Sequence, residues 1–289
     1  MNERDALRML AADLPAAGDD AAVVDGLVVT TDMLHEATDF PPGTTRFTAG
    51  WRAVGASLSD VAAMGAAATC AVAVYASPTF EASDLRAFVR GARDVCDAVD
   101  AEYVGGDLDD HEEFTVATTA IGRSDDPVER GGATPGETVC VTGDLGRSAA
   151  ALRYFDRGTV DLANDLFRFD PRVAAGRALA PHATAMMDSS DGLARSLHQL
   201  AEASDCGFAL DYDRVPVHGA VDDVARDAAD RREMALHFGE DFELVFTTAD
   251  PAAAARACPV PVTAVGDVTE AGVVCDGDPL PDRGYTHGE

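Results

Sequence analysis

At 289 residues, 47% of them apolar, the chain has enough length for two hydrophobic cores and too much apolar content for a disordered polymer. Its 51 acidic residues outnumber 22 basic ones, giving a formal charge of -29, and lysine is absent, so every basic residue is arginine. Such an excess repels nucleic-acid backbones; with no run of about 18 apolar residues and no apolar core behind the charged start Met1-Asn2-Glu3-Arg4-Asp5, it predicts a cytoplasmic protein without nucleic-acid or membrane partners.

Helical and strand patterns alternate along the chain. Residues 4–14 carry apolar side chains at helical spacing, and 22–31 read as two strands around the turn Asp25-Gly26. A long helical pattern covers 44–66, a buried strand 70–76, and an amphipathic helix 82–99 behind the cap Ser83. Strands follow near 102–105 and 113–121. The stretch 123–137, rich in Gly, Pro and charge, predicts a boundary between an N-terminal domain (1–135) and a C-terminal one (136–289). Beyond it come a strand at 138–142, helices within 146–180, a strand near 184–188, a helix at 191–204, and strands at 207–211, 242–248, 262–266 and 272–275. The fold class is α/β or α+β, in two domains. The six cysteines form no CxxC pair and read as small buried hydrophobes.

Five acidic clusters sit beside strand ends and glycines: Gly18-Asp19-Asp20, Thr30-Thr31-Asp32, Ser59-Asp60 before Val61, Gly105-Gly106-Asp107, and Asp188-Ser189-Ser190-Asp191-Gly192. Each alone is an ordinary turn or cap. Together, if the fold converges them, their carboxylates repel one another and share a site only with cations between them. Hard oxygen donors suit Mg²⁺, whose usual partners are phosphates. The missing lysine excludes a Walker A loop and the protein-kinase lysine, so metals, backbone N–H groups and arginine must hold any phosphate. Arg130 and Arg147 are the local candidates. Gly143-Asp144-Leu145-Gly146-Arg147-Ser148 reads equally as a helix N-terminus open to an anion and as a plain tight turn. Glu240, Asp241 and Glu243 run into a strand, and alternation puts Asp241 and Glu243 on one face, with surface charge as the plain account. The histidines show no zinc spacing, and no GxSxG elbow is present.

The motifs GDDAAVV (18–24), TTD (30–32), LSDVAAMGA (58–66), GGD (105–107), VTGDLGRSAAAL (141–152), DSSDGL (188–193) and GEDFEL (239–244) resemble the thiamine-monophosphate kinase family across nearly the whole chain. Single motifs are shared with aminoimidazole ribonucleotide synthetase, selenophosphate synthetase and a hydrogenase-maturation protein. The resemblance implies ATP-dependent phosphorylation of thiamine monophosphate to thiamine diphosphate by direct in-line transfer, with no covalent catalytic residue. A related synthetase that activates a carbonyl or amide oxygen is the alternative. It implies several Mg²⁺ ions, ATP as co-substrate and K⁺ as a candidate monovalent ion. Asp20, Thr30, Thr31, Asp32, Asp60, Asp107, Asp188 and Asp191 would be metal ligands; Gly106, Asp107, Arg130 and Ser190 would touch ATP; Asp39, Glu240 and Tyr285 would line the thiamine pocket. Asp39 stands where some members carry a substrate-contacting histidine, with His35 four residues earlier. The implied fold is a homodimer whose N-terminal α+β domains pair into a shared β-barrel, each carrying a C-terminal α/β domain.

The charge of -29 without lysine points to a salt-rich, halophilic setting. The melting temperature and activity should both rise as KCl approaches about 1 M, where the Debye length shortens to about 3 Å. A melting temperature that is flat or falling with KCl would exclude this.

Overall fold

The computed structural model describes residues 9–10, 13–14 and 16–284, so the helical pattern at 4–14 falls largely outside the described residues and Tyr285 wholly so. Strands β1 (Ala22–Val24) and β2 (Leu27–His35) form an antiparallel hairpin through Asp25 and Gly26, both at positive φ (52° and 76°). Helices α1 (Glu36–Asp39) and α2 (Arg46–Ala63) follow, then β3 (Ala67–Ala76), α3 (Ala82–Asp97), β4 (Glu102–Asp109) and β5 (Thr115–Arg123). The sheet runs β1-β2-β5-β3-β4 and is antiparallel except for the β3/β4 pair that α3 connects.

The C-terminal part holds β6 (Thr138–Thr142), α4 (Arg147–Asp156), α5 (Val160–Phe167), α6 (Val173–Leu179), β7 (Ala185–Asp188), α7 (Leu193–Ser204) and β8 (Gly207–Leu210). It continues with α8 (Gly219–Val224), α9 (Ala228–Leu236), β9 (Leu244–Thr248), α10 (Pro251–Ala257), β10 (Val262–Thr269), β11 (Val273–Cys275) and β12 (Asp278–Pro279). Its sheet runs β12-β11-β8-β10-β6-β9-β7. The architecture is thus mixed α/β with two open sheets; among the described residues neither closes into a barrel.

Helix α2 is the shared centre. Thr45 caps it by accepting from the Thr48 backbone N–H at 3.1 Å. It is buried almost all round, as a helix between two layers must be. Val54, Leu58 and Val61 enter the core under the first sheet, whereas Ala62 and Ala63 pack with Met186, Leu244 and Phe246 of the second. Its approach to α3 depends on small residues: a Cβ on Gly50 would lie 2.2 Å from the Phe88 carbonyl oxygen.

Several expectations change. Helix α3 is preceded by Glu81 and has no side-chain cap, so Ser83 lies inside it. Strand β4 runs on through Gly105-Gly106-Asp107, because parallel pairing with β3 continues to Asp109. The helices α8, α9 and α10 occupy stretches with no expected element. Residues 124–137 form no helix or strand. All six cysteines are free. No described helix is long and apolar enough to cross a membrane.

Beyond β1, the first sheet leaves one face open. Strand alternation sends Thr30 and Asp32 toward α2 and Thr31 and Met33 to the open side. There Met33 pairs across with Ala117, Ala117 with Val74 and Val74 with Asp107; Met33 is 54% and Val74 40% exposed.

Candidate metal and phosphate site

Helix α2 supplies a row of polar groups toward the seam between the sheets. Ser57 Oγ donates to Asp32 Oδ2 at 2.7 Å, and Ser59 Oγ donates to Asp188 Oδ2 at 2.6 Å. The Thr30 hydroxyl donates to Asp60 Oδ2 at 2.5 Å. Asp188 ends β7 of the second sheet, Asp60 ends this row on α2, and Asp20 leads into β1. Asp20, Asp60 and Asp188 each bring one carboxylate oxygen within 4.8 Å of the others.

This geometry strains the charged state. Burial pushes the Asp188 carboxyl up to about 7, helped by the Asp20 charge. Asp60 is driven well above its ordinary value by burial, then by the charges of Asp32, Asp188 and Asp20. Burial also raises Asp32, against the lowering hydrogen bond from Ser57. Asp19, which sequence reasoning left aside, rises to about 6 through burial and the Asp20 charge. Among the described residues, Asp188 Oδ1 and Ser189 Oγ are buried without a hydrogen-bond partner. Clustered carboxylates with an orphaned oxygen fit a hard divalent cation such as Mg²⁺.

Arg130 supplies the nearest positive charge. Its Nη2 donates to Asp20 Oδ1 at 2.6 Å and its Nε to Asp20 Oδ2 at 3.2 Å, while its backbone N–H donates to Asp19 Oδ2 at 3.0 Å. It thus spans the acidic cluster and the connecting segment.

The remaining candidates divide. Ser190 and Asp191 lie half-buried just beyond Asp188, at the seam. Thr31 turns its side chain to the opposite face, where its hydroxyl donates to the Thr118 carbonyl at 2.8 Å. Gly106 and Asp107 lie on the far edge strand, three strands from Asp32 and so about 14 Å away. Asp107 is exposed on the open face, so within one chain it does not join Asp60. Asp39 folds back over α1, accepting from the His35 backbone N–H at 2.7 Å and the Thr38 hydroxyl at 2.8 Å. His35 turns to Thr115 Oγ1, 3.0 Å away.

The segment 239–243 differs most from its sequence reading. It is not strand: Glu240 and Phe242 have φ of 63° and 54°. Gly239 allows the segment to press against the Asp188–Gly192 loop, since a Cβ there would lie 2.4 Å from the Ser190 carbonyl oxygen. The Glu240 N–H donates to that carbonyl at 2.6 Å. Asp241 and Glu243 are buried rather than surface charge. Asp241 accepts from the Gly146 and Ser148 backbone N–H groups at 2.5 and 2.9 Å, so the α4 N-terminus is filled by the chain's own carboxylate and is no open anion site. Burial lifts Asp241 to about 7. Glu243 accepts from Thr142 Oγ1 at 2.6 Å and from Arg172 Nε at 2.7 Å. Sequence reasoning also missed Arg52 and Ser57, whose only signal was polarity within an otherwise apolar helical pattern, and gave Ser59 no role beyond its place beside Asp60.

Comparison with known proteins fits this arrangement. The family models for AIR synthase related protein match here, the N-terminal domain over residues 18–124 and the C-terminal domain over 134–276. The chain is therefore an AIR synthase related protein in architecture. It is 61% identical over 291 residues to the thiamine-monophosphate kinase of Halobacterium salinarum, covering 99% of this chain and 100% of that one. Among solved structures, AaThiL complexed with AMPPCP and TMP is similar at TM-score 0.90 and 28% identity, covering 99% and 97% of the two chains. The thiamine-monophosphate kinase of Stenotrophomonas maltophilia K279a is similar at TM-score 0.82 and 31% identity, covering 95% of each. The chain belongs to the thiamine-monophosphate kinase family.

The acidic cluster has a consequence for stability. Asp188 keeps its proton in the folded chain up to about pH 7 but loses it near 3.8 when unfolded. Between those values the folded state holds more protons, so metal-free protein should lose stability as pH rises through that window. In about 1 M KCl with EDTA, the melting temperature should fall from about pH 5 to pH 8, and Mg²⁺ should raise it more at the higher pH. A metal-free melting temperature that climbs across this range would contradict the buried-carboxylate account.

Proposed function

We propose that the chain transfers the γ-phosphoryl group of ATP directly to the phosphate of thiamine monophosphate, yielding thiamine diphosphate and ADP. What carries this reading is the cluster Asp20, Asp60 and Asp188, in a chain 61% identical along its length to a named kinase of this reaction. A solved relative, 28% identical, is complexed with AMPPCP and TMP. The synthetase alternative has no specific observation in its favour.

An acceptor phosphate oxygen attacks the γ-phosphorus while its bond to the ADP oxygen breaks. That oxygen is already ionised at neutral pH, so no general base is required, and positioning and charge neutralisation carry the rate. Mg²⁺ bound at the cluster would neutralise the phosphates and polarise the transferred group. Asp20, Asp60 and Asp188 are the proposed core ligands, with Thr30, Asp32 and Asp191 around them. Thr31 would contribute through its backbone. Arg130 would exchange Asp20 for nucleotide phosphate, and Ser190 is the second proposed ATP contact on this side of the site. Glu240, Asp39 and Tyr285 are the proposed thiamine residues, the first two offering carboxylates to a cationic thiazolium.

Residues 1–135 are proposed as the ATP- and magnesium-binding, dimerising domain, and 136–289 as the domain that completes the site. The open sheet face supports a homodimer that pairs two such sheets into a barrel. Gly106 and Asp107 sit at that face's edge, so their assignment to ATP and metal depends on the dimer. A salt-rich cytoplasm is the proposed setting.

Incubation with ATP, Mg²⁺ and thiamine monophosphate in molar KCl should give thiamine diphosphate and ADP in equal amounts; ADP with inorganic phosphate and untouched acceptor would refute the kinase reading. Asp60→Asn should lower kcat by about 10²–10³, as loss of one transition-state stabiliser does. Its metal-free melting temperature should hold or rise, because a buried carboxyl that the cluster disfavours ionising is replaced by a neutral amide. An unstable but fully active variant would make Asp60 a packing residue instead. Met33→Glu on the open face should convert dimer to monomer in sedimentation velocity; an unchanged sedimentation coefficient would place any dimer contact elsewhere.

A further inference from the structure

We propose that Arg52 is a positioning residue for the acceptor half of the site, holding the Glu240 carboxylate in the conformation that meets thiamine monophosphate. The proposal rests on the assignment of Glu240 to the thiamine pocket made above.

Arg52 springs from α2, beneath the first sheet, yet its guanidinium partners all belong to the C-terminal part. It is only 2% exposed. Nη1 donates to the Phe167 carbonyl at 2.5 Å and reaches Ser148 Oγ at 3.4 Å, and Nη2 pairs with the Glu240 carboxylate. The guanidinium stacks 3.6 Å from the Phe167 ring centre, a cation–π contact strengthened by the lack of water. A desolvated arginine is costly unless its donors are satisfied, so this geometry is tightly specified.

Glu240 is the partner that this specification serves. Its backbone is pinned on both sides: the N–H donates to the Ser190 carbonyl at 2.6 Å, and its carbonyl accepts from Ser148 Oγ at 2.6 Å. The residue sits at φ 63°, a left-handed conformation that a glutamate adopts only when its surroundings impose it. These bonds fix the main chain and leave the side chain free to rotate. Arg52 supplies the side chain's hydrogen-bond partner among the described contacts. The Glu240 side chain keeps 25% exposure while the guanidinium holds its Oε2. One helix thereby orders both halves of the reaction: its Ser59 and Asp60 face the metal cluster, and its Arg52 aims a carboxylate at the acceptor.

The test compares KM for thiamine monophosphate with KM for ATP in Arg52→Met, Arg52→Lys, Glu240→Gln and Arg52→Met/Glu240→Gln. Methionine fills the aromatic slot without charge. Arg52→Met should raise the thiamine monophosphate KM about tenfold and leave the ATP KM nearly unchanged, with Arg52→Lys recovering most of the loss. Added to Glu240→Gln, Arg52→Met should cost little more, since both act through one carboxylate. Where the methionine variant is too unstable, Arg52→Gln, whose amide can still donate to the Phe167 carbonyl, takes its place. Equal rises in both KM values, or effects that multiply in the double variant, would reduce Arg52 to general packing and overturn the proposal. A raised KM in Glu240→Gln with a normal one in Arg52→Met would overturn it alone. A normal KM in Glu240→Gln would overturn the Glu240 assignment and the proposal together.

Discussion

Three carboxylate oxygens within 4.8 Å of one another, on buried and half-buried aspartates, set the terms for the rest of this molecule. Burial first, and then the neighbouring like charges, disfavour ionising all three without cations, which is why the Asp60 and Asp188 carboxyls are raised. The fold resolves part of it internally: Arg130 forks onto Asp20, and hydroxyls of Ser59 and Thr30 satisfy one oxygen each of Asp188 and Asp60. What is left over, a buried Asp188 oxygen without a hydrogen-bond partner among the described residues, is the part a divalent ion would complete. The site is therefore destabilised for the purpose of binding charge, a common arrangement where activity and stability compete.

Such a cluster can exist only on a rigid frame, and α2 is that frame. Because it is buried between two sheets, its residues at 57, 59 and 60 are set by the packing of both cores. The hydroxyls at 57 and 59 reach opposite partners, Asp32 of the first sheet and Asp188 of the second. A shift of one sheet against the other would break one of these bonds, so the acidic cluster also reports the correct docking of the two halves.

Much of this was legible from sequence, and the exceptions have physical causes. The Asp25-Gly26 hairpin, α2 and the buried strands follow from turn chemistry and periodicity, which act locally. The acidic motifs identify the convergent carboxylates, but their convergence is a tertiary fact. Asp107 shows the limit: Gly105-Gly106 reads as a turn, yet pairing with β3 carries the strand through it and puts Asp107 on the far edge. Asp241 and Glu243 read as surface charge because sequence alone does not reveal that a helix N-terminus and Arg172 will bury them. Arg52 was invisible for the same reason, since a lone arginine in an apolar helix carries no sign of the partner some 190 residues away in sequence. Tyr285 falls outside the described residues.

Net charge and local charge then pull in opposite directions on the substrates. A surface at -29 repels ATP and thiamine monophosphate, both anionic at their phosphates, and slows their encounter at low ionic strength. Lysine, the usual remedy near phosphate, is absent, and three arginines near the seam already hold carboxylates: Arg130 that of Asp20, Arg172 that of Glu243 and Arg52 that of Glu240. With a net charge of -29, long-range attraction of anionic substrates is disfavoured, and recruitment falls to short range. There, cations held by the clustered aspartates would act within a few ångströms, where salt screens least. Molar salt would remove the surface repulsion while leaving that buried cluster nearly untouched. The same ions that would make so acidic a surface tolerable would also make the site accessible, so a salt dependence of the fold and one of the chemistry would share a single cause.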